Sequence, residues 1–137
     1  MIDIETLDRL RRLFRRFPEV KIAYLFGSHA KGNTGPLSDI DIAYVFDPRI
    51  KETLYRDLEL EASISKVLGI DNVDCYLLNK MPLQFQYEVI TTGKVIYVED
   101  DSFRKRYEER IKKAFSREKG KLVLTKEDLL KTLGEIS

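Results

Sequence analysis

Two aspartates separated by a single residue, Asp39 and Asp41, begin a run of alternating apolar residues. On a β-strand, residues i and i+2 project from one face with Cα atoms about 6–7 Å apart, so both carboxylates can converge on hard cations placed between them. Magnesium prefers oxygen ligands and completes its shell with water and substrate phosphates. The pair therefore predicts a site for one or two Mg²⁺ ions, although an Asp-x-Asp pair can also mark a solvent-exposed strand edge.

A glycine–serine turn precedes these acids. Gly27 and Ser28 directly follow the apolar segment 20–26, which is predicted to be a strand. A strand that ends in Gly-Ser and enters a short helix presents free backbone N–H groups and a hydroxyl, and these groups suit a phosphate. The glycine allows close approach, because a Cβ there would collide with the ligand. The turn is therefore predicted to hold the β- and γ-phosphates of a nucleoside triphosphate.

A third carboxylate is normally needed to complete a two-metal cage. Asp74 lies on the polar face of the predicted strand 73–78 and is the best candidate by pattern. It could also serve as the general base that takes the proton from an attacking hydroxyl. A lone Asp in a short strand can equally be a surface residue, so both interpretations of Asp74 stay open.

The elements that would position these residues alternate between helical and strand patterns. Apolar residues at helical spacing, caps and turn residues predict helices over 4–17, 52–68 and 82–93, a charged helix over 102–116 and a last short helix that opens with a capping box at Thr125. Strands are predicted over 20–26, 39–46, 73–78 and 94–98. The face of the first strand would carry Val20, Ile22, Tyr24 and Phe26. The fold class is α/β (α+β), a mixed sheet of about four strands with helices packed on it.

Composition excludes several classes of protein. The chain has 137 residues, one cysteine and no apolar run of about 18 residues, which predicts a single soluble domain without disulfides, cysteine-built zinc sites or membrane spans. The N-terminus lacks the apolar core of a signal peptide, so a cytoplasmic location is expected. The net charge of +1 does not indicate nucleic acid as a partner of the whole chain. Only the basic segment 104–121 leaves such a contact open.

The spacing around the acids carries a family resemblance. The pattern consists of Gly27-Ser28, ten residues and then Asp39-x-Asp41. It resembles the signature of the DNA polymerase β-like nucleotidyltransferase superfamily. The surrounding Gly-Ser-x-Ala-x-Gly and Ser-Asp-Ile-Asp-Ile are similar to the minimal nucleotidyltransferases, which are often the antitoxin partners of HEPN-domain toxins. The resemblance covers residues 20–100, including Asp74 and the Thr-Gly-Lys-Val-Ile-Tyr segment.

The resemblance implies a nucleotidyltransferase (polymerase β palm-like) fold and a set of site residues. Three carboxylates would bind Mg²⁺, two ions in the full site, and carry the catalysis: Asp39, Asp41 and Asp74. Four residues would contact the nucleotide: Gly27, Ser28, Lys31 and Ser38. Lys31 stands where the family commonly has Arg, so it would contact phosphate as a point charge without a bidentate fork.

The same resemblance implies transfer of a nucleoside monophosphate, AMP from ATP, to a hydroxyl. The acceptor would be a tyrosine of a partner HEPN toxin, and the chain would act as the antitoxin of that pair. Residues 1–100 would form the nucleotidyltransferase domain, and residues 101–137 a helical extension packed on the same domain. Two alternatives stay open, namely an antitoxin that neutralises its partner by occlusion without catalysis and a small-molecule nucleotidyltransferase of the antibiotic-modifying type.

Overall fold

A computed structural model describes the backbone of residues 2–27 and 40–136, and the side chains of these ranges as far as residue 118. The elements follow in this order: α1 (Ile4–Arg15), β1 (Val20–Phe26), β2 (Ile40–Phe46), α2 (Leu54–Leu68), β3 (Val73–Leu77), α3 (Leu83–Thr92), β4 (Lys94–Val98) and α4 (Asp101–Ile136). A one-turn 3-10 helix, Leu78–Lys80, joins β3 to α3. In this part of the chain, no helix is long and apolar enough to cross a bilayer.

The strands form one mixed sheet in the order β3-β2-β1-β4. Strand β1 pairs antiparallel with both β2 and β4, whereas β2 and β3 are parallel. A parallel pair needs a crossover connection, and α2 supplies it. The end of β1 and the beginnings of β2 and β3 therefore lie at the same edge of the sheet. The predicted fold class is confirmed.

Alternation along the strands divides the core into two layers. The first lies between the sheet and helices α1 and α2, and the second lies between the sheet and helices α3 and α4. The side chains of β2 divide between the two layers as the sequence predicts. The first layer contains Ile40, Ile42, Tyr44 and Phe46, and the second contains Ala43 and Val45. Asp41 shares the face of Ala43, so it lies on the side of α3 and α4.

Strand β1 departs from the predicted alternation at its first residue. Val20 packs in the first layer, whereas Ile22 and Tyr24 pack in the second, joined by Phe26. The register with β2 shifts between Val20 and Ile22, and such an irregularity turns the strand by one residue. The single face predicted for these four residues is therefore wrong for Val20.

Residues at the ends of the first two helices cap them; the notable caps are Asp3, Thr53 and Gly69. Asp3 caps α1, since its Oδ1 accepts a hydrogen bond of 2.7 Å from the Thr6 N–H. Thr53 caps α2 in the same way by accepting from the Arg56 N–H, and Gly69 ends that helix in the left-handed conformation at φ +70°.

The C-terminal part differs from the prediction of two separate helices. A single helix, α4, runs without interruption from Asp101 to Ile136. No proline follows Pro82, and Gly120 costs a helix only about 1 kcal/mol relative to Ala. Thr125 therefore stands inside the helix instead of capping a new one. The first turns of α4 join the second layer through Tyr107 and Ile111.

Candidate active site

The turn after β1 brings a glycine against an acid. Gly27 has φ +76°, a conformation that favours glycine, and Phe26 beside it is the register partner of Asp41. A Cβ built on Gly27 would overlap the Asp41 carboxylate, with Cγ of Asp41 only 3.3 Å away. The Asp41 carboxylate therefore occupies the space that a side chain at position 27 would fill.

Parallel pairing places a second acid beside the first. Asp41 and Asp74 are register partners in β2 and β3, and neighbouring strands lie about 4.8 Å apart. Tyr76, two residues beyond Asp74, packs in the second layer, so Asp74 projects from the same face as Asp41. Asp41 is half-buried and Asp74 is exposed. Two of the three predicted catalytic carboxylates thus stand side by side at the edge where Gly27 lies.

The other predicted site residues cannot be located in the same way. Ser28, Lys31, Ser38 and Asp39 lie outside the described residues, so their roles stay predictions. Within the described ranges, no group of three His, Cys, Asp or Glu residues could hold a metal ion. Asp41 and Asp74 nevertheless fit a hard divalent cation, because they offer adjacent carboxylate oxygens.

Three aromatic side chains lie on the same face of the sheet as these acids, and we call them the aromatic wall: Phe26, Tyr76 and Phe85. The ring centroids of Phe26 and Tyr76 are 5.5 Å apart, those of Phe26 and Phe85 5.7 Å, and those of Tyr76 and Phe85 5.1 Å. All three side chains are half-buried. The sequence did not predict that these three rings meet, because they come from the separate elements β1, β3 and α3.

The carboxylates and the thiol with clearly perturbed pKa values lie away from these acids. Asp47 directly follows β2, about 20 Å of strand from Asp41; hydrogen bonds from Arg49 lower its pKa to about 2. Burial and the neighbouring Glu52 raise the pKa of Asp57 to about 6. Burial raises the pKa of the half-buried Cys75 thiol to about 12, which disfavours the reactive thiolate. Perturbed pKa values can mark functional sites, but these groups lie at the end of the sheet remote from Asp41 or on its opposite face.

Comparison with known proteins agrees with this geometry. The family model "Polymerase beta, Nucleotidyltransferase" matches residues 8–102 of the chain. The protein adenylyltransferase MntA of Aphanizomenon flos-aquae (strain 2012/KM1/D3) is 30% identical over 119 aligned positions, which cover 79% of this chain and 79% of that relative.

Solved structures share the fold. A chain from a toxin–antitoxin complex with AMP-PNP has a TM-score of 0.73 at 20% identity and is matched over 94% of this chain and 99% of its own length. A chain from the complex of tri-AMPylated Shewanella oneidensis HEPN toxin with MNT antitoxin has a TM-score of 0.70 at 19% identity, over 92% of this chain and 97% of its own. Such likeness establishes the fold, and the family model and MntA establish the kinship. The chain therefore belongs to the polymerase beta nucleotidyltransferase family, as a minimal nucleotidyltransferase related to MntA.

Proposed function

We propose that this chain transfers AMP from ATP to the phenolic hydroxyl of a tyrosine on a partner HEPN toxin, and that it is the antitoxin of the pair. The observation that carries the proposal is the meeting of Gly27, Asp41 and Asp74 at one sheet edge. The curated relative MntA is a protein adenylyltransferase. Structures of the same fold come from a toxin–antitoxin complex with an ATP analogue and from a complex with an AMPylated HEPN toxin.

The acids at this edge would hold magnesium. Asp41 and Asp74, together with Asp39, would supply carboxylate oxygens to two Mg²⁺ ions, which when bound neutralise phosphate charge and polarise the reacting oxygens. The triphosphate would lie on the turn that begins at Gly27, where the absence of a side chain leaves room for the Asp41 carboxylate. Three further residues would contact the nucleotide there: Ser28, Lys31 and Ser38.

The transfer is a single displacement at phosphorus. The phenolic oxygen of the acceptor forms a bond to the α-phosphorus of ATP, while the bond from that phosphorus to the bridging oxygen of the β-phosphate breaks. The electron pair of the broken bond leaves with pyrophosphate. The phenolic proton passes to the carboxylate of Asp74, which is exposed and can release it to solvent. The products are an AMP–tyrosine phosphodiester and pyrophosphate.

A protein acceptor suits the size and openness of the site. The family match ends at residue 102, and we take residues 1–100 as the catalytic domain and 101–137 as a helical extension that packs on it through Tyr107 and Ile111. Such a small domain leaves little room for a dedicated drug or RNA pocket. A partner protein brings its own surface to the exposed acid edge. With ATP as donor, the reaction belongs in the cytoplasm.

The proposal is tested by intact-mass measurement. The chain is incubated with ATP, Mg²⁺ and a HEPN toxin, and mass increments of AMP size on the toxin are expected. The Asp41→Asn variant should give none, whereas Asp8→Asn, which alters an exposed ion pair on α1, should transfer AMP normally. Absence of increments with the wild-type chain would overturn the proposal. A variant without transfer that still neutralises the toxin would establish occlusion as the antitoxin mechanism.

A further inference from the structure

We propose that the aromatic wall binds the phenol ring of the acceptor tyrosine and positions its oxygen beside Asp41 and Asp74. The inference rests on the proposed function and adds to it the surface that recognises the acceptor. Its members, Phe26, Tyr76 and Phe85, come from β1, β3 and α3. They therefore converge from three elements on the strand β2 that carries Asp41.

The register of the sheet puts the wall next to the acids. Phe26 is the register partner of Asp41 in β1, and Tyr76 follows Asp74 by two residues on the same face of β3, a rise of about 7 Å. The wall therefore begins within two residue positions of the acids on both strands. A ring that stands against the wall can hold its substituent over the carboxylates.

A small residue makes the wall continuous. Ala43 is the register partner of both Tyr24 in β1 and Tyr76 in β3, and it lies between them on the face of the second layer. A larger side chain at position 43 would separate Phe26 from Tyr76. With alanine there, these two rings meet over β2 at 5.5 Å, and Phe85 closes against both of them.

The rings of the wall meet at tilted and edge-to-face angles. Phe26 and Phe85 meet edge to face at 89°, and the other two pairs are tilted at 60° and 46°. Aromatic rings prefer such tilted or edge-to-face neighbours at centroid distances of about 4.5–7 Å. Because all three side chains are half-buried, the wall is not sealed inside the core.

Position along the substrates favours the phenol over the adenine of ATP. The attacking oxygen of a tyrosine is bonded directly to its ring, so the ring must lie immediately beside the carboxylates that surround the reacting phosphorus. The purine is separated from the α-phosphate by the ribose, so it lies farther from those carboxylates. The wall adjoins the acids themselves, where the phenol ring belongs.

The test measures binding of a tyrosine analogue directly. N-acetyl-L-tyrosinamide is titrated into the full chain with AMP-PNP and Mg²⁺, and its Kd is followed by ligand-observed NMR. Phe85→Leu should raise this Kd about three- to tenfold, the loss expected for one aromatic pair, while the Kd of AMP-PNP stays within about twofold. Tyr87→Leu is the matched control, because Tyr87 also lies on α3 but stacks on Phe115 of α4. The Kd of the Tyr87→Leu variant for the tyrosine analogue should equal that of the wild type.

A second measurement needs no variant. Intermolecular NOEs between the analogue and ¹³C-labelled Phe rings of the wild-type chain are expected, and their absence would overturn the inference. Weaker AMP-PNP binding by Phe85→Leu with unchanged analogue binding would also overturn it and assign the wall to the purine. A failure of the proposed function can be distinguished from a failure of this inference. If the analogue binds at the wall but no HEPN toxin receives AMP, the binding role of the wall is supported and the proposed AMP transfer is refuted.

Discussion

Gly27 and Asp41 share one space: the carboxylate of Asp41 lies where a Cβ of residue 27 would be. The contact joins the end of β1 to the beginning of β2, so the turn that would hold a triphosphate and the acid that would hold its cation are one structural unit.

Replacing Gly27 by alanine should damage stability and activity together. The backbone at φ +76° disfavours a Cβ, and the new methyl group would displace the Asp41 carboxylate. We expect a loss of about 1–3 kcal/mol in unfolding free energy and loss of AMP transfer. Thermal unfolding and the intact-mass assay measure the two effects.

Gly69→Ala is the control for this substitution. Gly69 has a similar φ of +70°, but a Cβ there would meet nothing within 4 Å. The Gly69→Ala variant should lose about 1 kcal/mol of unfolding free energy and keep the wild-type rate of AMP transfer. If Gly27→Ala also kept that rate, the Gly27–Asp41 contact would have no part in the reaction.

Removing one charge from the acid pair should separate stability from activity. Asp41 and Asp74 are adjacent carboxylates, so without a cation they repel each other. Asp74→Asn should therefore melt at or above the wild-type temperature in EDTA, yet transfer AMP at least about 100-fold more slowly. Mg²⁺ with AMP-PNP should raise the melting temperature of the wild type and have less effect on the variant. Equal stabilisation of both proteins would contradict a role of Asp74 in metal binding.

The buried ion pair between Glu19 and Arg56 should contribute more to the unfolding free energy than exposed ion pairs do. Arg56 donates from Nε at 2.9 Å and from Nη2 at 2.8 Å to the carboxylate of Glu19, and its guanidinium lies 4.2 Å from the centroid of the Phe17 ring. Glu19 is only 7% exposed, so Arg56→Ala would leave a buried charge without its partner. We expect Arg56→Ala to lower the unfolding free energy by about 2–3 kcal/mol. This value is below that of a fully buried pair because Arg56 itself is partly exposed.

Urea denaturation checks this loss, and Arg12→Ala provides the comparison. Arg12 pairs with Asp8 on the surface of α1, with about half or more of each side chain exposed, and exposed pairs contribute about 0–1 kcal/mol. Similar losses for the two variants would show that burial of Glu19 adds nothing.

The carboxyl pair Glu52 and Asp57 should make stability fall between mildly acidic and neutral pH. Burial, and then the hydrogen bond with Glu52, raise the pKa of Asp57 from 3.8 to about 6. The folded state therefore binds this proton more tightly than the unfolded state, and the resulting stability is lost as pH rises from about 4 through 6. Lys80, which pairs with Glu52, offsets part of the negative charge.

Asp57→Asn should remove that dependence. The variant should lose less unfolding free energy than the wild type between pH 4.5 and 7.5, by about 1 kcal/mol, in guanidinium titrations at the two pH values. The protonation of Asp47 does not interfere, because its pKa of about 2 lies below the window. Parallel pH profiles of the two proteins would show that Asp57 keeps an ordinary pKa.

The sequence by itself determined what depends on near neighbours. The two-residue period of β2 assigns its residues to two faces. Contacts within a few residues also define helix ends: Asp3 and Thr53 cap the first turns of α1 and α2, and Gly69 ends α2. The placement of Gly27 and Asp41 in one site was also predicted, whereas their contact required the antiparallel pairing of β1 with β2. The roles of Ser28, Lys31, Ser38 and Asp39 stay predictions, as does the division of the chain at residue 100.

Only the tertiary structure decided the relations between distant segments. The pairing of Asp41 with Asp74 depends on the parallel register of β2 and β3, which the crossover through α2 sets across more than thirty residues. The aromatic wall needs three elements to converge, and the change of face at Val20 needs a partner strand that shifts register. Helix α4 continues past its internal capping signal because a local cap preference of about 1 kcal/mol does not stop a helix whose backbone hydrogen bonds can propagate.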